Sequence, residues 1–155
     1  MLKLTKRADY GLIALRHLAV NTPSGSASAK EIADAYGMPL PLLAKVLQKL
    51  AKKGLLRSLP GTNGGYRMGR DPRHISALEV IRAIDGPVFL TSCVTTHGEC
   101  FQSDRCTVRE PLRRVHEGIL DLLSKITISD LSGSDTSGRD GASVLPEVLT
   151  ALPVS

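Results

Sequence analysis

Pro39 and Pro41, just after Gly37, constrain this chain more than any other feature. Proline lacks an amide hydrogen and its ring clashes with the preceding turn, so a helix tolerates it only at the start. A helix must therefore begin here, and Leu43, Val46, Leu47 and Leu50 continue it at the i, i+3, i+4, i+7 spacing of a buried stripe. Its other face carries Ala44, Lys45, Gln48, Lys49 and Lys52, and Gly54 closes it. Upstream, Ser28 followed by Glu31 has the form of a capping box. That box opens a helix expected to bury Ile32 and Ala35 and to stop at Gly37. Two helices joined by a short glycine turn, the second with a polar, basic outer face, predict a helix-turn-helix.

The flanking segments extend this unit. Thr5 to Asn21 reads as a helix capped by Thr5, with Leu12, Leu15 and Ala19 near the helical period. After Gly54, Leu55 to Leu59 and Tyr66 to Met68 are strand-like runs around Pro60-Gly61-Thr62-Asn63-Gly64-Gly65, a hairpin of the kind that forms a wing. The glycine run lacks the Gly-Lys-Ser/Thr ending of a nucleotide phosphate loop, and no helix follows it. Ser76 caps a further helix, Ala77 to Asp85, ended by Gly86-Pro87. From Cys106 or Thr107 to Ile126, the positions Leu112, Val115, Ile119, Leu122 and Ile126 alternate three and four apart, a heptad seam whose expected partner is a second copy of the chain. The fold class is thus mainly α with a small β wing: a winged helix-turn-helix plus a long C-terminal dimerisation helix. The divisions are a DNA-binding domain over 1–86, a cysteine loop over 87–106, the dimerisation helix over 107–131, and a polar tail over 132–155 expected to be disordered.

Charge separates the two halves of the chain. Residues 1–73 carry 13 Lys/Arg against 4 Asp/Glu, and residues 74–155 carry 7 against 11. The N-terminal half is the one that meets a polyanion, most simply double-stranded DNA. With no Trp, 3 Tyr and 2 Phe, there is no aromatic platform for stacking single-stranded bases. Asp9, Arg16 and His17 interrupt any signal-peptide core, and no stretch reaches transmembrane length, so a soluble cytoplasmic protein is expected, without a membrane partner.

The chain's 3 cysteines all fall in one short segment: Cys93, Cys100 and Cys106. Where thiols stay reduced, such clustering points to metal or redox chemistry rather than to disulfides. Thiolates suit iron–sulfur clusters, zinc or copper(I), and Gly98 lets the loop bring the sulfurs together. Zinc knuckles pair ligands more closely in sequence than either gap here. An iron–sulfur cluster is therefore the first reading. A zinc- or thiol-based regulator is the second, and a small iron–sulfur electron carrier, which would leave the basic half unexplained, the third. No nucleophile–base pair or cofactor fingerprint suggests an enzyme.

These residues together resemble the IscR/NsrR family. The resemblance is carried by Leu4-Thr5-Lys6-Arg7-Ala8-Asp9-Tyr10, by Lys45, Gln48-Lys49-Leu50 and Gly54-Leu55-Leu56, by the Gly64-Gly65-Tyr66 wing, by Ile75-Ser76, and by three cysteines before a long helix. It covers residues 1 to about 131 and looks most like the branch that regulates the SUF iron–sulfur assembly system. It implies a homodimeric winged-helix transcription regulator holding a [2Fe–2S] cluster by preference, or a [4Fe–4S] cluster, on Cys93, Cys100 and Cys106. One branch takes its fourth ligand from a histidine where this chain has Arg109, which cannot ligate as a cation. Another branch uses an N-terminal aspartate of the partner subunit, and Asp9 occupies that position; His97, Glu110 and His116 are further candidates. On the DNA side, Lys45 and Gln48 are expected at base edges, with Lys30, Lys49, Lys52, Arg57 and Arg67 at phosphates. Ser28, Pro41, Ala44, Asn63, Gly64 and Tyr66 complete that surface. Pro60 stands where the family often has a wing arginine, leaving Arg57 or Arg67 to substitute, and Ala44 stands where one branch has a discriminating glutamate.

Overall fold

The computed structural model describes residues 3–20, 25–62, 64–89 and 105–133. Helix α1 (Lys6–Val20) starts where the Thr5 hydroxyl accepts from the Ala8 amide at 3.1 Å, satisfying one of the orphaned first-turn donors. Helix α2 (Ala29–Tyr36) carries both halves of the capping box: Ser28 Oγ accepts from the Glu31 amide at 3.1 Å, and Glu31 Oε2 accepts from the Ser28 amide at 2.6 Å. It ends at Gly37 with φ 63°, a left-handed conformation in which a side chain would clash with its own backbone. Ile32 and Ala33 are its buried residues, whereas Ala35, expected in the core, is exposed. Helix α3 (Leu40–Lys52) has Pro39 at its N-cap and Pro41 in its first turn, and buries Leu43, Val46, Leu47 and Leu50.

A three-stranded antiparallel sheet follows, with one strand the sequence did not announce. Strand β1 (Ser26–Ala27) pairs with β3 (Gly65–Met68), which pairs on its other edge with β2 (Leu56–Leu59). The wing is thus anchored to the residues that open α2. Gly65 makes this approach possible, since a Cβ there would lie 2.6 Å from the Ala27 carbonyl oxygen. A 3₁₀ turn (Pro72–His74) leads to α4 (Ala77–Asp85), capped by Ser76. Arg70 binds the Glu79 carboxylate and the His74 carbonyl at 2.6 Å, clamping the exit of the wing to α4.

The core is aliphatic, as the shortage of aromatics requires. Leu15, Ile32, Leu43, Leu47, Leu50, Leu55, Leu56 and Ile75 are fully buried, each contributing roughly 1.5–3 kcal/mol by burial. Helix α1 packs on both α3 and α4.

The long helix differs from the expected 107–131 span. Helix α5 (Arg109–Lys125) ends at Ile126, and a short α6 (Ile128–Leu131) follows behind a second capping box, Thr127 with Asp130. Between them the chain pairs with the start of α4: the Ala77 amide donates to Ile126 O at 2.8 Å, and the Ile128 amide to Ile75 O at 2.9 Å. Ile128 is fully buried in the core of the winged unit, so residues 126–131 belong with the winged unit rather than extending the helix.

The heptad seam also divides. Ile119 and Leu123 face α4 across an apolar cleft that Ile81 and Phe89 also line. His116, on the same helix, is 7% exposed and stacks on Phe89, with ring centroids 6.3 Å apart and planes 13° apart. On the outside, Val108, Val115 and Leu122, one heptad apart, are 53%, 51% and 47% exposed.

Candidate DNA interface and cysteine segment

Helix α3 presents Pro41, Lys45, Gln48 and Lys52 opposite its buried stripe, all exposed, with Ala44 half-buried at the margin. Among the described residues Lys45 and Lys52 have no ion-pair partner. Lys49 lies round the helix, on the flank toward α4, and its ammonium donates to the Ile84 carbonyl at 3.1 Å. Lys49 remains exposed, and this bond draws its ammonium toward the end of α4. Lys30 is also committed: it bridges Asp34 at 2.8 Å, one helical turn away, and the carboxylate holds its ammonium further up in pKa.

In the wing, Arg57 of β2 and Arg67 of β3 are directly opposed, both exposed and without an ion-pair partner among the described residues. Like charges placed opposite one another in a ladder destabilise it. The basic residues just after the wing are different: Arg70 is taken by Glu79, and Arg73 by Asp71, whose carboxyl it holds down to about 2. Tyr66 packs against the core beneath the wing, so its ring supports the sheet rather than leading the surface. Gly64 sits in the turn, donating to Gly61 O at 2.9 Å, with no room for a Cβ beside Leu59 O. Ser28 spends its oxygen on the α2 cap, leaving its hydroxyl proton free to donate. Asn63 lies outside the described residues.

Of the cysteines, Cys106 is described, half-buried three residues before α5 and not in a disulfide, while Cys93 and Cys100 lie outside the described residues, as does His97. The segment holding them is bracketed by Phe89, stacked on His116, and by the start of α5. The remaining nominated ligands differ in availability. Glu110 accepts from Arg113 at 2.9 and 2.6 Å, and this cation holds its pKa down. Asp9, in the first turn of α1, has only a loose contact with Lys6 at 3.8 Å and is half-exposed. Arg109 opens α5.

Residues 4–134 match a family model described as Rrf2, an iron-dependent transcriptional regulator. The chain belongs to the Rrf2 family. Among Rrf2 relatives, the HTH-type transcriptional regulator IscR of Klebsiella pneumoniae (strain 342) is 32% identical over 142 residues, covering 89% of this chain and 86% of that protein. IscR of Escherichia coli (strain K12 / DH10B) is 30% identical over 153 residues, covering 96% and 94%. Among solved structures, CymR (YrzC), the global cysteine regulator of B. subtilis, superposes with TM-score 0.73 at 28% identity, covering 86% of this chain and 98% of that one. T. potens IscR gives 0.66 at 27% identity, covering 90% and 94%. As an Rrf2 protein the chain is a transcription regulator and not an enzyme, and the electron-carrier reading falls away. No described helix is long and apolar enough to cross a membrane.

Proposed function

We propose that this Rrf2 regulator binds operator DNA as a homodimer and that an iron–sulfur cluster on Cys93, Cys100 and Cys106 sets its affinity. The observation that carries the DNA half is the Arg57–Arg67 pair: two unpaired guanidiniums face each other across the wing, on a sheet bonded to the opening of α2. A polyanion relieves that repulsion, and phosphate contacts of this kind give affinity without sequence information. Lys45 and Gln48 then read base edges in the major groove, with Lys52 beside them at the backbone. The exposed row Val108, Val115 and Leu122 supports the dimer, because a heptad-spaced apolar row is buried most simply by the same row of a second copy.

Three thiols in one segment are a donor set that fits an iron–sulfur cluster, with Arg105 and Arg109 flanking Cys106 in sequence to balance its negative charge. When bound, such a cluster supplies a redox- and supply-sensitive ligand state. The chain's own part is to fasten the two ends of the cysteine segment, at Phe89 on His116 and at the start of α5. Asp9 of the partner subunit is the favoured fourth ligand, since Glu110 is engaged by arginines and His116 by its stack.

Anaerobic purification followed by visible absorption, iron and sulfide assays tests this reading. A coloured protein with iron and sulfide is expected, losing both in Cys106→Ala and changing its affinity for a duplex selected from a random pool when the cluster is removed. A colourless protein containing zinc overturns it. A colourless, metal-free protein whose DNA affinity follows thiol oxidation would favour the thiol-based alternative, the reading that the likeness to CymR supports. An Asp9→Ala protein with unchanged absorbance and oxygen sensitivity removes Asp9 from the ligand set.

A further inference from the structure

The last turn of α4 is where three parts of the molecule meet. The Ile84 carbonyl accepts from Lys49 of α3 at 3.1 Å. This carbonyl is among those a helix leaves orphaned at its C-terminus, where a cation is favoured by the helix dipole. The Ile84 side chain is buried and seated on bare α1 backbone, so close that a Cβ on Gly11 would lie 2.3 Å from its Cδ1. The next residue, Asp85, accepts from the Thr5 hydroxyl at 2.6 Å. Beyond the Gly86 cap, Pro87, Val88 and Phe89 precede in sequence the segment that holds Cys93 and Cys100, and Phe89 stacks on His116 of α5. The end of α4 is therefore bonded to the recognition helix on one side and continuous with the stem of the cysteine segment on the other.

We propose that Lys49 is a positioning residue: through its bond to the Ile84 carbonyl it ties the placement of α3 to the stem of the cysteine segment, so that a change at the cysteines alters operator affinity. The two states are the bond made and the bond strained or broken as the stem shifts. A ligand state acts on affinity only if it favours one of them, and this contact is where such a preference reaches α3. The idea rests on the cluster reading above. The bond to Ile84 also distinguishes Lys49 from Lys45 and Lys52, exposed residues of the same helix.

The experiment compares wild type, Lys49→Met, which keeps the aliphatic stem, and Lys49→Arg, which keeps the charge and donor. Affinity for the selected duplex is measured by fluorescence anisotropy across a salt series, with the cluster loaded anaerobically and after its removal. In the wild type the two forms should differ by roughly 5- to 150-fold, the ordinary range of allosteric coupling. In Lys49→Met the ratio should collapse toward one while the slope of log affinity against log salt is unchanged in the cluster-free protein; Lys49→Arg should restore the ratio. A slope reduced by about 1 with the ratio intact makes Lys49 a phosphate contact and overturns the proposal. A lower melting temperature with ratio and slope both intact makes it a helix cap only, and also overturns it. If the loaded and cluster-free wild type bind equally, the cluster reading fails by itself. The link is then judged on iodoacetamide-treated protein: any result other than an affinity shift in the wild type that is abolished in Lys49→Met overturns it.

Discussion

Replacing Gly11 with alanine sets two calculable effects against each other. In a helix interior, alanine is favoured over glycine by roughly 0.8–1 kcal/mol because it restricts the unfolded chain and shields the backbone. Against this, the new Cβ would stand 2.3 Å from Ile84 Cδ1 and 3.4 Å from Val46 Cγ1. The second contact needs only a few tenths of an ångström of give. The first needs more than 1 Å, from a side chain only 3% exposed whose own carbonyl is held by Lys49. Overpacking of a filled core costs about 1–3 kcal/mol, so Gly11→Ala should be net destabilising by about 1 kcal/mol. Ile84→Val, which deletes Cδ1, should alone cost about 0.5–1.5 kcal/mol. Combined with Gly11→Ala, however, the obstacle is gone and the helix gain is recovered. A double-mutant cycle by urea unfolding, at fixed protomer concentration because association shifts apparent stability, should return a favourable coupling of about 1–2 kcal/mol. A stabilised single Gly11→Ala, or costs that simply add to within about 0.5 kcal/mol, would show that α4 does not seat on α1 at this point.

Further outcomes follow from other contacts. Ile128→Ala, at a fully buried position, should cost about 2–5 kcal/mol by urea unfolding; a cost under about 0.5 kcal/mol, the level of ordinary surface changes, would detach α6 from the core. Arg57→Gln and Arg67→Gln should each lower the salt slope of duplex binding by about 1 without lowering the thermal midpoint, because each removes a repelling neighbour; loss of fold in either variant would argue that the pair is structural. Asp71, held from 3.8 down to about 2 by Arg73, contributes stability that is present above its ordinary pKa and is lost as pH falls from about 4 through 2. Asp71→Asn should therefore flatten that part of the acid limb, by a small amount since the pair is exposed, and an identical acid transition in the two proteins would count against the contact.

The elements that the sequence announced are those whose signals are local. Ser28 with Glu31, Gly37, the two prolines and Ser76 each act within one turn, and each sits where its chemistry requires. Strand β1 escaped because two residues hold no alternation to read, and its existence depends on β3 arriving from about forty residues downstream. The break between α5 and α6 did leave a mark, Thr127 followed by Asp130, but a heptad count running through Ile126 obscured it. Lys49 has a partner that the sequence did not announce. Sorting α3 into apolar and polar residues puts every lysine on one face, whereas helical rotation turns this one to the flank, where α4 supplies a carbonyl no local pattern could reveal. His116 is buried on the inner face of α5 for a similar reason, since its partner Phe89 precedes the cysteine segment. Of the cysteine site, the sequence makes the thiols legible, whereas a ligand that a second subunit would supply, as proposed for Asp9, has no intrachain spacing to betray it.

Strand β1 has one more consequence. Because Ala27 pairs with Tyr66 and the next residue caps α2, the sheet and the first helix of the helix-turn-helix are joined directly, and α3 is packed against α2. On the proposed reading, the wing arginines and the outward residues of α3 would act as the two jaws of a caliper whose opening is set before any duplex arrives. A molecule built this way gauges the width between groove and backbone. A duplex that is locally wider or narrower would have to deform to fit, so its stiffness would enter selection alongside the base edges proposed for Lys45 and Gln48.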